Sequence, residues 1–447
     1  MITLYDWQKP HAERLKVALQ TSGLALDLSG TGAGKTYIAA HLAKWRGGPA
    51  YIICPKALIP QWQKVWSLAE LTPAGIMNIE RAKRGHGPIQ KTGSSWQWSL
   101  APGTLVIFDE VHGYGGKKTG NAAILAATRA ARLPVLGLSA TLANNPLRLR
   151  AIGLLMNWFP TWGAFWPWAL EHGAERGTIC ARQRMRNGKY RVVVRNVVNF
   201  NPASQVAATG LAKINKLLYD EPVRASRLVP ANIPGFPKNI VMTEPFRFSQ
   251  KVVEAYQELG QLVSEAVAEG EVVQLAAIIK LRQHAEELKA GELSGTIEDH
   301  MEEGGVVIVV NFIRTADVLI RRFNGLDPAV ITGQNRKLGV SDDREAQRLK
   351  FQSNKTPLCI VTFDAGGVGL DLQDLYGVPR QSILFPTWSA RALVQALGRI
   401  SRADALSPAV QHIMYAAGTV EDRVAARVQT AIKNMDTLQD QTLLEIK

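Results

Sequence analysis

Eight consecutive residues, Ser29-Gly30-Thr31-Gly32-Ala33-Gly34-Lys35-Thr36, combine glycines, a lysine and a hydroxyl in an order suited to holding a phosphate chain. Glycines let backbone N–H groups converge on phosphate oxygens at the start of a helix, where the dipole favours negative charge. Lys35 can reach terminal phosphates and the Thr36 hydroxyl can ligate magnesium, so Gly30, Thr31, Gly32, Ala33, Gly34, Lys35 and Thr36 form the expected nucleotide-binding set. Ser29 stands where the strict pattern opens with glycine. Farther on, Asp109 and Glu110 offer two adjacent carboxylates after an apolar run. Asp109 is assigned to the magnesium ion, and Glu110 to orienting and deprotonating an attacking water. An acidic pair after a strand is by itself more often a cap or solvated turn; the phosphate loop upstream reverses that weighting.

Cations supply the next candidates. Arg399 and Arg402 are three apart, which puts them on one face of a helix, and such a pair can stabilise charge on a phosphoryl group in transit. The alternative is that they cover a helix surface or pair with acids. Between Arg182 and Arg195 several arginines and Lys189 flank Asn187-Gly188, a dipeptide suited to a tight turn, and Val192, Val193 and Val194 follow. The expectation is a basic hairpin on the first lobe of the chain, with Arg184, Arg186 and Lys189 as candidate phosphate contacts; a solvated surface hairpin is the competing reading. Trp62 and Trp388 could stack on bases or pack in a core. Asn311, just after an apolar run, is placed with the candidate nucleic-acid contacts.

These residues need rigid elements to aim them. Short Leu-, Val- and Ile-rich runs alternate with glycine-containing turns and segments of helical period, the pattern of parallel strands with crossover helices. Strands are predicted at Leu24–Leu28, Ala50–Cys54, Thr104–Phe108 and Val135–Leu138, and in a second series at Val306–Val310, Ala329–Ile331, Leu358–Thr362, Ser382–Phe385 and His412–Tyr415. Two doubly wound parallel sheets follow. Trp158, Trp162, Trp166 and Trp168 precede the basic stretch and belong to neither series; the prolines and glycine of 230–238 suggest a linker. The expected domains are 1–150, an accessory segment 151–245, and 246–447.

Composition is compatible with this plan. A chain of 447 residues can bury two or three cores, and 52 Lys and Arg against 38 Asp and Glu give a charge of +14, which suits a polyanion. No secretory signal or spanning run is apparent, and a cytoplasmic, nucleoid-associated monomer without a membrane partner is expected. Cys54, Cys180 and Cys359 fit neither a disulfide framework nor paired zinc spacing and read as buried thiols.

Taken in order, the motifs resemble the superfamily 2 helicases and translocases, and in detail their Swi/Snf-type branch. The resemblance spans nearly the whole chain. Leu4-Tyr5-Asp6-Trp7-Gln8 is similar to the adenine-reading motif, with Gln8 on the base; Cys54-Pro55-Lys56 through Trp62 resembles the motif that tracks the nucleic-acid backbone, which implicates Lys56. Ser139-Ala140-Thr141 resembles the motif linking hydrolysis to lobe movement, and His112 either couples the lobes or packs. Ala365-Gly366-Gly367-Val368-Gly369-Leu370-Asp371 is similar to a motif touching both backbone, through Gly366 and Gly367, and nucleotide, through Gly369 and Asp371. Gln395-Ala396-Leu397-Gly398-Arg399-Ile400-Ser401-Arg402 resembles the arginine-finger helix, with Gln395, Arg399 and Arg402 catalytic. The resemblance implies two RecA-like lobes in tandem, ATP and Mg2+ as cofactors, and movement along duplex, forked or branched DNA. RNA as substrate, or an ATP-switched recombination mediator that does not translocate, remain as alternatives.

Overall fold

The computed structural model describes residues 2–93, 95–114, 120–184, 190–220, 222–269, 275–366 and 370–439. Its strands in chain order are β1 (Leu24–Asp27), β2 (Ala50–Cys54), β3 (Gly75–Asn78), β4 (Ile89–Thr92), β5 (Ser95–Trp98), β6 (Leu105–Asp109), β7 (Val135–Leu138), β8 (Glu175–Arg184), β9 (Tyr190–Asn199), β10 (Ala225–Ser226), β11 (Asn239–Phe246), β12 (Gly305–Val310), β13 (Ala329–Ile331), β14 (Leu358–Thr362), β15 (Arg380–Leu384) and β16 (Ala409–Ala416). The helices that bear on function are α1 (Lys9–Ser22), α2 (Lys35–Arg46), α3 (Ile59–Leu68), α4 (Gly120–Ala130), α5 (Leu275–Glu292), α6 (Ala390–Leu397) and α7 (Val420–Gln439).

Two six-stranded sheets result, in the orders β10-β1-β7-β6-β2-β3 and β11-β16-β15-β12-β14-β13. Every neighbouring pair is parallel, with registers such as Leu24↔Val135, Tyr51↔Val106 and Ile308↔Ile360. Parallel sheets are covered on both faces, which is why β1, β2, β6, β12 and β14 are buried along their whole length and read as unbroken apolar runs. All nine predicted strands are present, and the fold is the expected tandem of doubly wound sheets.

Three strands of these two sheets escaped the sequence pattern, as did β4 and β5 of a separate hairpin. β3 is half exposed and short, β10 has two residues, and β11 carries Pro245 and alternates irregularly between exposed and covered positions. All three are edge strands, where proline and polar residues are tolerated because one side of the backbone needs no partner.

The chain divides into two compact units. The first joins the chain up to Glu175 with Val198–Gly235 and a stretch from Ala431 onward; the second takes Arg176–Val197 and Phe236–Thr430. In the first unit the tryptophan-rich stretch is core: Trp158 and Trp168 stack at 5.4 Å, Phe165 is fully buried, and the group continues the apolar cluster of Leu26, Ile53 and Phe108. The basic hairpin is present as the two-stranded sheet of β8 and β9, but it falls in the second unit, which corrects its expected place on the first lobe. Its turn, Asn187-Gly188, lies outside the described residues, as do Arg186 and Lys189; Arg184 ends β8. Cys54 and Cys359 are buried thiols within β2 and β14.

Candidate active site

β1 delivers the chain to the phosphate loop and α2 receives it. Gly32 and Gly34 take φ of +80° and +81°, left-handed values at which a side chain would be strained, and Gly34 caps α2. A Cβ on Gly34 would lie 2.6 Å from Nε2 of Gln8, and one on Gly30 2.6 Å from Cδ of Pro230. Gln8 is buried there; its Nε2 donates to the Ala33 carbonyl at 3.0 Å and its Oε1 accepts the Tyr5 N–H. The expected base reader is thus tied directly to the phosphate loop. Lys35 donates from Nζ to the carbonyls of Ser29 (2.8 Å) and Gly30 (3.0 Å), which holds its ammonium over the loop. Thr31 and Thr36 are half-buried in the same turn.

The serine that replaces the first glycine has a structural role. Ser29 Oγ accepts the Leu228 N–H at 3.0 Å and lies 3.3 Å from His11 Nε2, which in turn sits 3.2 Å from Asp27 Oδ1. His11 Nδ1 is 2.8 Å from Ser226 Oγ. Burial pushes the Asp27 carboxyl up, yet His11, Lys35 and the Ser29 bond together hold it below its ordinary value. This buried knot fastens β10 and its following loop beneath the phosphates' position. Sequence reasoning missed it, since His11 and Asp27 sit in no motif of the expected set.

The acidic pair leaves the C-terminal end of β6, two strands from β1 across β7. Asp109 is buried, with Oδ2 accepting the Trp62 indole N–H at 2.8 Å and Oδ1 the Glu110 N–H at 3.0 Å. Burial first, and the Glu110 charge second, push its carboxyl up to about 7, against the pull of Trp62 and Lys35. A buried carboxylate so reluctant to ionise is well suited to a divalent cation, whose charge would offset both the burial and the Glu110 repulsion. Glu110 takes φ of +53°, and its Oε2 is 3.1 Å from His112 Nδ1, which also lies 2.9 Å from Ser139 Oγ. Ser139 donates to the Thr141 carbonyl and accepts its N–H. The water-activating candidate is therefore wired through His112 to the Ser-Ala-Thr motif.

In the second unit, α6 ends at Leu397 with Gly398 as its cap, so Arg399 and Arg402 lie in the loop beyond the helix. Their shared helical face is corrected, but not their convergence: Arg399 Nη1 and Arg402 Nη2 both donate to the Leu370 carbonyl, at 3.4 and 3.0 Å. Arg402 also pairs with Asp371 at 2.9 Å, and the Arg399 carbonyl accepts the Leu372 N–H. Gln395 is half-buried on α6. Gly367 and Gly369 lie outside the described residues, and Gly366 ends a helical turn begun at Phe363.

Comparison with known proteins places this arrangement. A family model described as the helicase conserved C-terminal domain matches residues 288–404, the stretch that carries Asp371, Arg399 and Arg402. Over that stretch the chain is similar to helicases. A protein of Acanthamoeba polyphaga mimivirus described as "Putative ATP-dependent RNA helicase" is 29% identical over 98% of this chain and 84% of its own length. The S. cerevisiae Dbp5 structure bound to RNA and ADP BeF3 superposes with a TM-score of 0.50 at 12% identity, covering 98% of this chain and 88% of that one. The Sulfolobus solfataricus SWI2/SNF2 ATPase core in complex with dsDNA aligns over 99% of this chain and 94% of that one, at 13% identity and a TM-score of 0.39.

The remaining candidates concern nucleic acid. Lys56 is exposed in the turn after β2. Trp62 is corrected: it has no exposed surface, and its indole N–H is spent on Asp109, so it positions the metal candidate and cannot stack on a base. Asn311 is corrected in part, because its amide donates to Glu286 Oε2 (2.7 Å) and to the Pro386 carbonyl (2.9 Å), which makes it a brace. Trp388 differs from both. It is 50% exposed, and the Arg282 guanidinium lies 5.1 Å from its ring centre and 5.3 Å from that of Phe312. Arg282 also donates to the Pro386 carbonyl at 3.3 Å, so the loop bearing Trp388 is held by two donors.

Proposed function

We propose that this chain is an ATP-driven nucleic-acid motor of the Swi/Snf-like kind, which acts as a monomer on DNA and prefers duplex, forked or branched forms. The observation that supports it most is the grouping of Lys35, Asp109 and Glu110 at one end of one sheet, with Lys35 near enough to draw on the Asp109 carboxyl. Phosphoryl transfer needs little more than positioning and charge, and this set supplies both.

In this reading Lys35 exchanges the Ser29 and Gly30 carbonyls for terminal phosphate oxygens. The α2 N-terminus and the N–H groups of Thr31, Gly32 and Gly34 bind the remaining phosphate oxygens. Thr36 and Asp109 would hold magnesium, which when bound neutralises charge on the phosphates. Glu110, steadied by His112, takes the proton of the attacking water. Arg399 and Arg402 leave the Leu370 carbonyl to offset transition-state charge, a role typically worth ~10³ or more in rate. Trp388 and Lys56 contact the strand. The protein works in the cytoplasm, in a host cell if its origin is viral.

A second reading, RNA as substrate, draws on the mimivirus relative's description and on the RNA bound in the Dbp5 structure. ATPase rates measured at matched salt with duplex, single-stranded and forked DNA and with RNA separate the two, because affinity for any polyanion shifts with salt. Stimulation by duplex or forked DNA above RNA is expected. RNA as the best activator would transfer the motor to the second reading, and no stimulation by any nucleic acid would sink it.

A further inference from the structure

The hairpin of β4 and β5 sets Lys91 opposite Trp96 and Ile89 opposite Trp98. Alternation along a strand brings these four side chains to one face. One end of that face is anchored: Ile89 is fully buried, and the Trp98 indole N–H donates to Thr128 Oγ1 on α4 at 2.9 Å. The other end is open. There the Lys91 ammonium lies 5.7 Å from the Trp96 ring centre, and both line a cleft of ≈ 940 Å³ whose floor is the alanine-rich side of α4. The cleft is also lined by Arg150 and Trp162, with the guanidinium 5.3 Å from the indole centre, its Nη2 donating to the Trp162 carbonyl at 3.2 Å and its Nε buried without a hydrogen-bond partner among the described residues. Two cations and two indoles thus border the space, and among its described lining residues there is no carboxylate.

This chemistry selects among ligands. An anion without a flat surface would make no use of two indoles, and an apolar ligand would leave Lys91 and Arg150 with no counter-charge. Unpaired nucleotides present both features at once, π-faces for the indoles and the guanidinium and phosphates for the cations. The volume falls within the usual range of ligand clefts. We propose that this cleft, separate from the phosphate loop, binds unpaired nucleotides of a DNA or RNA strand. It rests on the nucleic-acid reading above, adding a site for the strand that is not in a duplex.

The test compares a short blunt duplex with the same duplex bearing an oligo-dT or oligo-U tail, by fluorescence anisotropy without ATP. Wild-type protein should bind the tailed forms more tightly, and the dT and U arms tell whether DNA or RNA is preferred. Lys91→Gln and, independently, Ala123→Glu on the cleft floor should each reduce the tail-dependent gain by about tenfold, with unchanged affinity for the blunt duplex and unchanged melting temperature. Lys91→Gln should also flatten the salt dependence of tail binding by about 0.7 log units. A tail-dependent gain that persists in both variants, or is absent from wild type, overturns the proposal. So does displacement of the tail by polyglutamate as readily as by free oligo-dT, which would mark a plain anion surface. If no nucleic acid stimulates ATP hydrolysis while the tail still binds through Lys91 and Ala123, the motor reading fails and the cleft stands.

Discussion

Glu110 is held at φ of +53°, a conformation that costs a non-glycine residue roughly 1 kcal/mol or more. Its N–H bond to Asp109 and the nearby His112 keep it there. Glu110→Gln should therefore bind ATP normally and lose at least about 10² in turnover, as seen in single-turnover assays with nucleic acid present. Near wild-type turnover would reassign the base. Trp62 offers a separate handle on the same pair. Trp62→Phe keeps the packing but removes the donor that steadies the Asp109 charge, so the magnesium concentration needed for half-maximal ATPase should rise about tenfold. Nucleic-acid affinity should not change, since Trp62 is buried. A magnesium dependence like that of wild type would separate Trp62 from the metal candidate.

At the scale of elements, α5 carries Arg282, Glu286 and Lys289 at spacings of four and three, one helical face turned inward. Glu286 accepts both the N–H and the amide of Asn311, and Lys289 donates to Glu421 at 2.8 Å and to the Met414 carbonyl at 2.7 Å. Breaking the buried Lys289–Glu421 pair from one side strands a charge, and Lys289→Met should cost about 3–5 kcal/mol in denaturant unfolding. Adding Glu421→Gln should recover part of that loss; an additive double variant would contradict the pairing. Burial raises the Glu286 carboxyl above its ordinary value, against the bonds of Asn311 and the charge of Arg282. A raised acid binds its proton more readily folded than unfolded, so its contribution to stability is present at low pH and is lost as pH rises through the folded value. Glu286→Gln should flatten the thermal-melting profile between mildly acid and neutral pH, and an unchanged slope would assign the pH dependence elsewhere.

For the whole molecule the dominant long-range quantity is the charge of +14. It makes nucleic-acid affinity depend steeply on salt, and each phosphate that a cation neutralises adds to the slope. Replacing Arg184, Arg186 and Lys189 together with alanine should flatten that slope by about 0.7 to 0.9 log units for every phosphate no longer neutralised, and should weaken binding similarly across sequences. A wild-type slope would leave the β8–β9 hairpin a structural element alone. Among the described residues no helix is long and apolar enough to cross a membrane.

Nine strands, the phosphate loop and the acidic pair were legible in the sequence because each is written locally, in unbroken apolar runs, in glycines where φ must turn positive, and in carboxylates at a strand end. Helix α6 was legible too, but not its end at Leu397, since Gly398 only becomes a stop once the following loop is pinned to Leu370 and Leu372. Nothing local distinguishes Trp62 as a buried donor from Trp388 as an exposed ring; that difference arises when α3 packs beside β6 and the Pro386 loop is braced by Arg282 and Asn311. The support beneath the phosphate loop is the clearest case. Ser29 meets Leu228 across 199 residues, and a two-residue strand has no periodicity by which to announce itself. Local pattern specifies which residues must be buried and which must turn, whereas the partner each buried polar group finds is decided only when distant segments close and leave it no water to bind.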